Sequence, residues 1–234
     1  VGGYFAIGNY FYDLAVNAHT NKSFLTAGSK QKPLSKKEER KKENKAFLAD
    51  IKSDAWYVTS SDKLKLKLYA ADYKQPTKTN KWAIVVHGYG GQSTDMASWT
   101  RHFYNKNYNV VTPDLRGHGK SQGDYIGMGW DDRKDMLLWI AKIIQKDPQA
   151  EIVLLGVSMG GATVMNTSGE KLPSSVKAIV EDCGFTSTGD VFAYQLKQLY
   201  GLPKFPVLYA ANTVVRIRAG YDIFKSSTIK QVAK

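Results

Sequence analysis

A single cysteine, Cys183, stands among the 234 residues. That excludes an intrachain disulfide framework and a zinc site built from paired thiolates, and it leaves the redox compartment open. Histidine is scarce too: His19, His87, His102 and His118 are the whole set. Acidic residues are short of basic ones, 21 against 33, for a formal net charge of +12. An excess of this size attracts polyanions at long range. Here it is spread along the chain, net +4 over residues 1–50 and +8 over residues 51–234. There is no zinc-finger spacing and no aromatic-basic signature of an RNA-binding sheet, so nucleic acid is not an expected partner. A long hydrophobic run is also missing. The first twelve residues, Val1 to Tyr12, are apolar, aromatic or small apart from Asn9, but Asp13 interrupts them, whereas a membrane span needs about 20 predominantly apolar residues.

What is present begins with that short run. Val1 is an unusual start, and the segment reads either as the outer end of a signal anchor whose beginning is missing or as an amphipathic or disordered leader. A Lys/Glu-rich stretch follows between Ser29 and Lys45, a solvated linker or an exposed helix for which Ser35 and Glu38 would make a capping box. Beside an anchor, such a basic element would favour anionic headgroups.

From about Ala55 the texture changes to strands. Lys63 to Leu68 alternates lysine and leucine, the pattern of a half-buried, edge-like strand. Trp82 to Val86 is a continuous apolar run, as in a parallel-sheet strand covered on both faces. Similar runs recur at Asn109 to Val111, Glu151 to Leu155 and Val176 to Val180. Between them lie helical patterns, one opened by Asp131-Asp132, carrying Met136, Leu137, Ile140, Ile143 and Ile144 at helical spacing, and closed by Pro148. Strand alternating with helix predicts an α/β sandwich that binds ligands at the carboxyl ends of its strands.

Three motifs sit at those ends. Ile152 to Ala162 reads as strand, then Gly156-Val157-Ser158-Met159-Gly160-Gly161, then helix. This is the context that gives a G-x-S-x-G string chemical meaning, because a serine at the tip of a sharp turn needs neighbours without side chains. The helix start supplies a free N–H at Met159, aimed where an oxyanion would form. After the strand ending at Val86 comes His87-Gly88-Tyr89-Gly90-Gly91, a loop that would turn the Tyr89 N–H toward the same pocket. His87, at the end of a buried strand, reads as a structural hydrogen-bonder rather than a catalytic base. Asp114-Leu115-Arg116-Gly117-His118-Gly119-Lys120-Ser121 follows the next strand.

Together these motifs resemble the α/β-hydrolase superfamily over roughly Ala55 to Phe185, in its serine esterase, lysophospholipase and serine aminopeptidase-like branch. Gly129 to Asp135 and Glu181 to Phe185 resemble a bacterial subgroup often tethered to the membrane by an N-terminal segment. The resemblance implies an α/β fold with a mostly parallel central sheet, helices on both faces and a partial helical cap at 188–218. Residues 1–50 would be leader or anchor remnant and basic linker, and residues 51–234 the catalytic domain. It implies Ser158 as nucleophile, the backbone N–H groups of Tyr89 and Met159 as oxyanion hole, and a structural His118. It also implies a triad in the chain order Ser, acid, His. Every histidine here precedes Ser158, so the triad histidine is expected outside this chain, which would continue for roughly 70 to 80 residues with the last strands of the fold. Asp182, at the end of the sixth strand, reads either as the acid or as a loop-holding hydrogen-bonder.

The expected reaction is hydrolysis of a carboxylic ester or amide through an acyl-enzyme, with no cofactor and no metal. The aromatic, apolar cap favours a hydrophobic small-molecule substrate, though fold does not fix substrate. The rival reading is a membrane-tethered binding protein that keeps the fold without activity. The subgroup resemblance favours a membrane-associated domain on the cell-surface side, while the basic run after an apolar segment favours the cytoplasm.

Overall fold

The computed structural model describes residues 2–22 and 35–234. Six strands, β1 (Asp54–Thr59), β2 (Lys67–Tyr73), β3 (Lys81–Val86), β4 (Asn109–Pro113), β5 (Glu151–Val157) and β6 (Val176–Asp182), form one sheet in the order β1-β2-β4-β3-β5-β6. β2 runs antiparallel to both β1 and β4, and the remaining neighbours pair in parallel. This is the α/β-hydrolase arrangement.

The apolar runs form central strands because both faces are covered. Trp82, Ile84, Val86, Ile152 and Leu154 face a cluster that includes Met136, Trp139, Ile140 and Ile143 of α4 (Asp132–Lys146) and Val164 of α5 (Met159–Ser168). The alternate residues Ala83, Val85 and Leu155 face the other side, with Phe103 of α3 (Ala97–Tyr104) and Leu48 of α2 (Ser35–Asp50). The Lys/Glu-rich stretch is thus the start of a helix that docks on α3, where Arg101 pairs with Glu43 at 3.0 Å. The Ser35 side chain and residues 23–34 lie outside the described residues, and the expected capping box with them.

Two strand expectations need correcting. Lys63 to Leu66 is a turn, and the strand starts at Lys67. Ser60 Oγ donates to Asp62 and accepts from the Leu66 amide, and the buried Arg116 holds Asp62 at 2.8 Å. Lys65 takes φ 51° and Leu64 points to solvent, so local side-chain hydrogen bonds override the alternation. Val176 to Val180 does form β6, but with β5 as its one neighbour among the described residues its faces are not both covered, and Lys177, Ala178 and Val180 are exposed.

The expected cap segment, 188–218, forms α6 (Thr188–Tyr200) and α7 (Lys204–Arg218), followed by the short α8 (Thr228–Val232). The initial apolar run forms α1 (Gly2–Ala15), and that helix is seated on α7. Gly8 permits the approach, since a Cβ there would lie 2.5 Å from the Ala210 carbonyl oxygen. Tyr12 and Val16 join Leu196, Leu208, Val215 and Ile223 in a second core, and Arg218 covers the Tyr12 ring at 4.2 Å. Among the described residues, no helix is long and apolar enough to cross a membrane.

Candidate active site

Ser158 lies between β5 and α5 with φ 56° and ψ −116°, a region that a residue with a Cβ rarely occupies. The turn is sharp because its glycines leave no room for side chains. A Cβ on Gly156 would collide with the Gly160 carbonyl, and one on Gly160 with the Val86 carbonyl. Two backbone bonds pin the serine: its N–H donates to the Asp182 carbonyl at 2.7 Å, and its own carbonyl accepts from the Ala162 N–H at 3.0 Å. The Ser158 hydroxyl has no hydrogen-bond partner among the described residues.

The loop after β3 runs beside this serine. A Cβ built on Gly88 would sit 3.3 Å from the Ser158 Cβ, so the backbone leading to Tyr89 packs directly against the Ser158 turn. The Gly91 N–H closes onto the Gly88 carbonyl at 3.1 Å, and Gly90 takes φ 68°. The Tyr89 amide donates to no acceptor among the described residues. Met159 begins α5, so its amide has no carbonyl one turn earlier to bond. The Tyr89 side chain turns away, its hydroxyl donating to the Ala15 carbonyl of α1 at 2.6 Å. Burial raises the pKa of that phenol.

Two buried histidines tie this loop to the next. His87 Nδ1 donates to the Gly88 carbonyl at 2.7 Å, leaving Nε2 to accept from the Leu115 amide at 3.0 Å. His118 Nδ1 donates to the Arg116 carbonyl at 3.0 Å, and its Nε2 accepts from the Gly90 amide at 3.2 Å. The partners set the tautomer of each ring. Burial, helped by the neighbouring His118, pushes His87 down to about 4, and burial also lowers His118. Both are neutral at pH 7, and neither has an acceptor nitrogen left for a serine proton. Asp114 completes the tie, accepting from the Ser93 and Lys120 amides at 2.6 and 2.7 Å. Below it, Arg116 is held by both oxygens of Asp135 and by Asp62 and Tyr125. Burial opposes the Arg116 charge, but Asp135 and Asp132 more than offset it and raise the pKa.

The remaining candidates lie elsewhere. His19 is exposed and pairs with Asp124 at 2.9 Å, and His102 is exposed on α3 beside Trp99. Asp182 reaches Ser158 through its backbone carbonyl, while its carboxylate is exposed and makes no hydrogen bond or ion pair among the described residues. The structure therefore brings Ser158, Tyr89 and Met159 together and leaves the Asp182 carboxylate without a partner. The bond from Gly90 to His118 was not anticipated, although the signal was present. β3 and β4 pair in parallel with Trp82 opposite Asn109, which sets the two motifs that follow them side by side. Among the described residues, no group of three or more His, Cys, Asp or Glu could hold a metal ion.

The profile of the serine aminopeptidase S33 hydrolase family matches residues 77–202, more than half of the chain. The curated relatives include the uncharacterized protein YqkD of Bacillus subtilis, 25% identical over 160 residues, which are 68% of this chain and 52% of YqkD. Another is the uncharacterized protein YfhR of Escherichia coli K12, 30% identical over 111 residues, 46% of this chain and 39% of that protein. The chain thus spans about half the length, or less, of these relatives. Among solved structures, an esterase from Pyrococcus furiosus superposes with a TM-score of 0.60 at 20% identity, covering 81% of this chain and 69% of the esterase. A thermostable carboxyl esterase from Bacillus coagulans, bound to glycerol, superposes with a TM-score of 0.51 at 19% identity, covering 63% and 50%. At these identities the structural likeness establishes the fold.

Proposed function

Because the chain belongs to the serine aminopeptidase S33 family of hydrolases, we propose that it is a serine hydrolase that cleaves a carboxylic ester through an acyl-enzyme on Ser158. The observation that carries this reading is the Ser158 backbone, held at φ 56° and ψ −116° with an oxyanion loop packed against it. Strain of this kind persists where the surrounding structure enforces it and concentrates at functional sites. Ser158 Oγ adds to the substrate carbonyl carbon, and the carbonyl oxygen takes up the negative charge opposite the Tyr89 and Met159 amides. Donors so placed are each worth about 10² to 10³ in kcat. The alcohol then leaves, and water releases the acid.

An unactivated hydroxyl is a poor nucleophile, so the reaction requires a general base. The four histidines are engaged by other groups or exposed, so the reading assigns the base to none of them. The aromatic and apolar residues of α6 and α7, among them Phe192, Leu196, Val207 and Leu208, support an ester with a hydrophobic part over a charged peptide. That no histidine among the described residues bonds to the Ser158 hydroxyl favours a second reading, a binding protein that keeps the fold without turnover. Fluorophosphonate labelling of the full-length polypeptide separates the two. Labelling of the wild type that disappears in Ser158→Ala is the expected result, and no labelling of either protein would overturn the enzyme reading.

A further inference from the structure

The peptide group joining Gly88 to Tyr89 would present its N–H to the oxyanion, and its two ends are held differently. The carbonyl end accepts from His87 Nδ1 at 2.7 Å and from the Gly91 amide at 3.1 Å. In a trans peptide the N–H points opposite the carbonyl, so these bonds set its direction. The other end leads to the Tyr89 Cα. Around it, Gly88, Gly90 and Gly91 carry no side chain, and glycine has the most backbone freedom to lose on folding. Tyr89 is therefore the one side chain by which this loop can be held. Its ring packs against the sheet core, and its hydroxyl donates to the Ala15 carbonyl at 2.6 Å.

The Ala15 end of that bond is fixed without Tyr89. Ala15 is the last residue of α1, where carbonyls have no partner within the helix. The Tyr12 carbonyl accepts from the Val16 and Asn17 amides at 2.7 and 2.9 Å, and Lys22 Nζ donates to the Asp13 and Leu14 carbonyls at 3.1 and 2.7 Å. The chain that follows is tied down as well: the Ile126 amide donates to the Val16 carbonyl at 2.8 Å, and the Ala18 amide to the Asp124 carbonyl at 3.0 Å. Ala15 is thus the anchor, and the glycine loop is what it holds. Ala15 lies outside residues 77–202, so the family match assigns nothing to this bond.

We propose that the Tyr89 side chain is a positioning group: its hydroxyl, bonded to Ala15 of α1, holds the Tyr89 amide where an oxyanion at Ser158 would need it. This rests on the reading of Ser158 as nucleophile. Acylation and deacylation both pass through an oxyanion, so the tether acts on kcat whichever step limits it. Misplacing a catalytic group by about 1 Å costs up to about 10² in rate. Losing the hydroxyl, with the ring and both carbonyl bonds kept, is expected to cost about tenfold.

The test uses the full-length polypeptide as wild type, Tyr89→Phe, Gly8→Ala, their double variant, Tyr4→Phe and Ser158→Ala. Tyr89→Phe removes the donor and keeps the ring, while Gly8→Ala shifts α1 on α7 and so moves Ala15. Tyr4→Phe loses an exposed bond from α1 to Thr213 and is expected to match the wild type. With p-nitrophenyl acetate, kcat and kcat/KM of Tyr89→Phe are expected to fall together by about tenfold, as when an interaction is made only in the transition state. The double variant is expected to lose no more than the larger single loss, because both changes act through one bond. Hydrogen exchange reads the tether without turnover: the amides of residues 88–91 are expected to exchange about fivefold faster in Tyr89→Phe. If Tyr89→Phe does not fold, faster exchange of the same amides in Gly8→Ala carries the test. Turnover of Tyr89→Phe equal to the wild type, single losses that multiply, or unchanged exchange at 88–91 overturns the positioning role. The two readings fail separately. Labelling by fluorophosphonate that is lost in Ser158→Ala, with full turnover in Tyr89→Phe, keeps the nucleophile and removes the tether. No labelling of the wild type removes the nucleophile, and exchange at 88–91 then decides the tether.

Discussion

Replacing Ser158 by glycine should make the protein more stable while removing the proposed nucleophile. The serine sits at φ 56° and ψ −116°, where a Cβ costs about 1 to 3 kcal/mol and glycine costs nothing. Against this relief stands the greater freedom that glycine gives the unfolded chain, about 0.4 to 1 kcal/mol. The balance is a gain of about 1 kcal/mol, or roughly 2 to 4 °C in melting temperature for a domain of this size. Ser158→Ala is the control, because alanine keeps the Cβ and the strain. The hydroxyl it removes has no hydrogen-bond partner among the described residues, so its stability should match the wild type within about 0.5 kcal/mol.

Urea unfolding of the three proteins, with m-values compared to confirm a common transition, measures the difference. The informative quantity is the gap between glycine and alanine, since both lack the hydroxyl. A glycine variant no more stable than the alanine variant would refute the claim that the turn is strained, and with it the observation on which the proposed function rests.

Two further outcomes follow from the packing and the buried charge. Gly8→Ala places a methyl 2.5 Å from the Ala210 carbonyl oxygen and 2.8 Å from Val214 Cγ2. Although alanine favours a helix by about 1 kcal/mol, overpacking of about 1 to 3 kcal/mol should lift α1 from α7, seen as faster proteolytic release of the N-terminal segment. Unchanged release would show that the two helices are not closely packed there. Asp72 is buried, its oxygens have no hydrogen-bond partner, and burial raises its pKa from 3.8 to about 6 despite Lys74 nearby. Between pH 4 and 6 the folded state holds a proton that the unfolded chain has released. Stability therefore falls as pH rises through this window, by up to about 3 kcal/mol from this group. In Asp72→Asn that contribution should vanish, so the variant gains on the wild type as pH rises from 4 to 7; parallel pH profiles would show that Asp72 is not desolvated.

The central sheet was legible because parallel strands are buried on both faces, so β3 and β5 carry unbroken apolar runs, Trp82 to Val86 and Ile152 to Leu155, and β4 the shorter pair Val110-Val111. The Ser158 turn was legible for a steric reason: glycines at both sides of Ser158 mark a place where side chains cannot fit. Alternation was the weaker guide. Lys63 to Leu66 has the period of a strand, yet Ser60, Asp62 and Arg116 bond it into a turn, and two of those three partners lie in an adjoining segment while the third is far along the chain. Periodicity reports which face of an element is apolar and carries no information on which polar groups will capture its backbone.

The same limit explains why the site's surroundings were less legible than its centre. Ser158 and its glycines are consecutive, so their chemistry can be read in one glance along the chain. The clamp from His118 to Gly90 joins residues whose relation depends on β3 and β4 being neighbours, which strand order supplies and spacing does not. The second core depends on more still. Tyr12, Leu196 and Val215 meet because α1 packs on α7 at Gly8, and a glycine in an apolar run reads first as a helix weakener and only secondarily as a contact point. A run of twelve largely apolar residues looks alike whatever surface it packs on. What sets its place is the partner surface, and here that surface is about two hundred residues away in the chain, on the α7 face that receives Gly8.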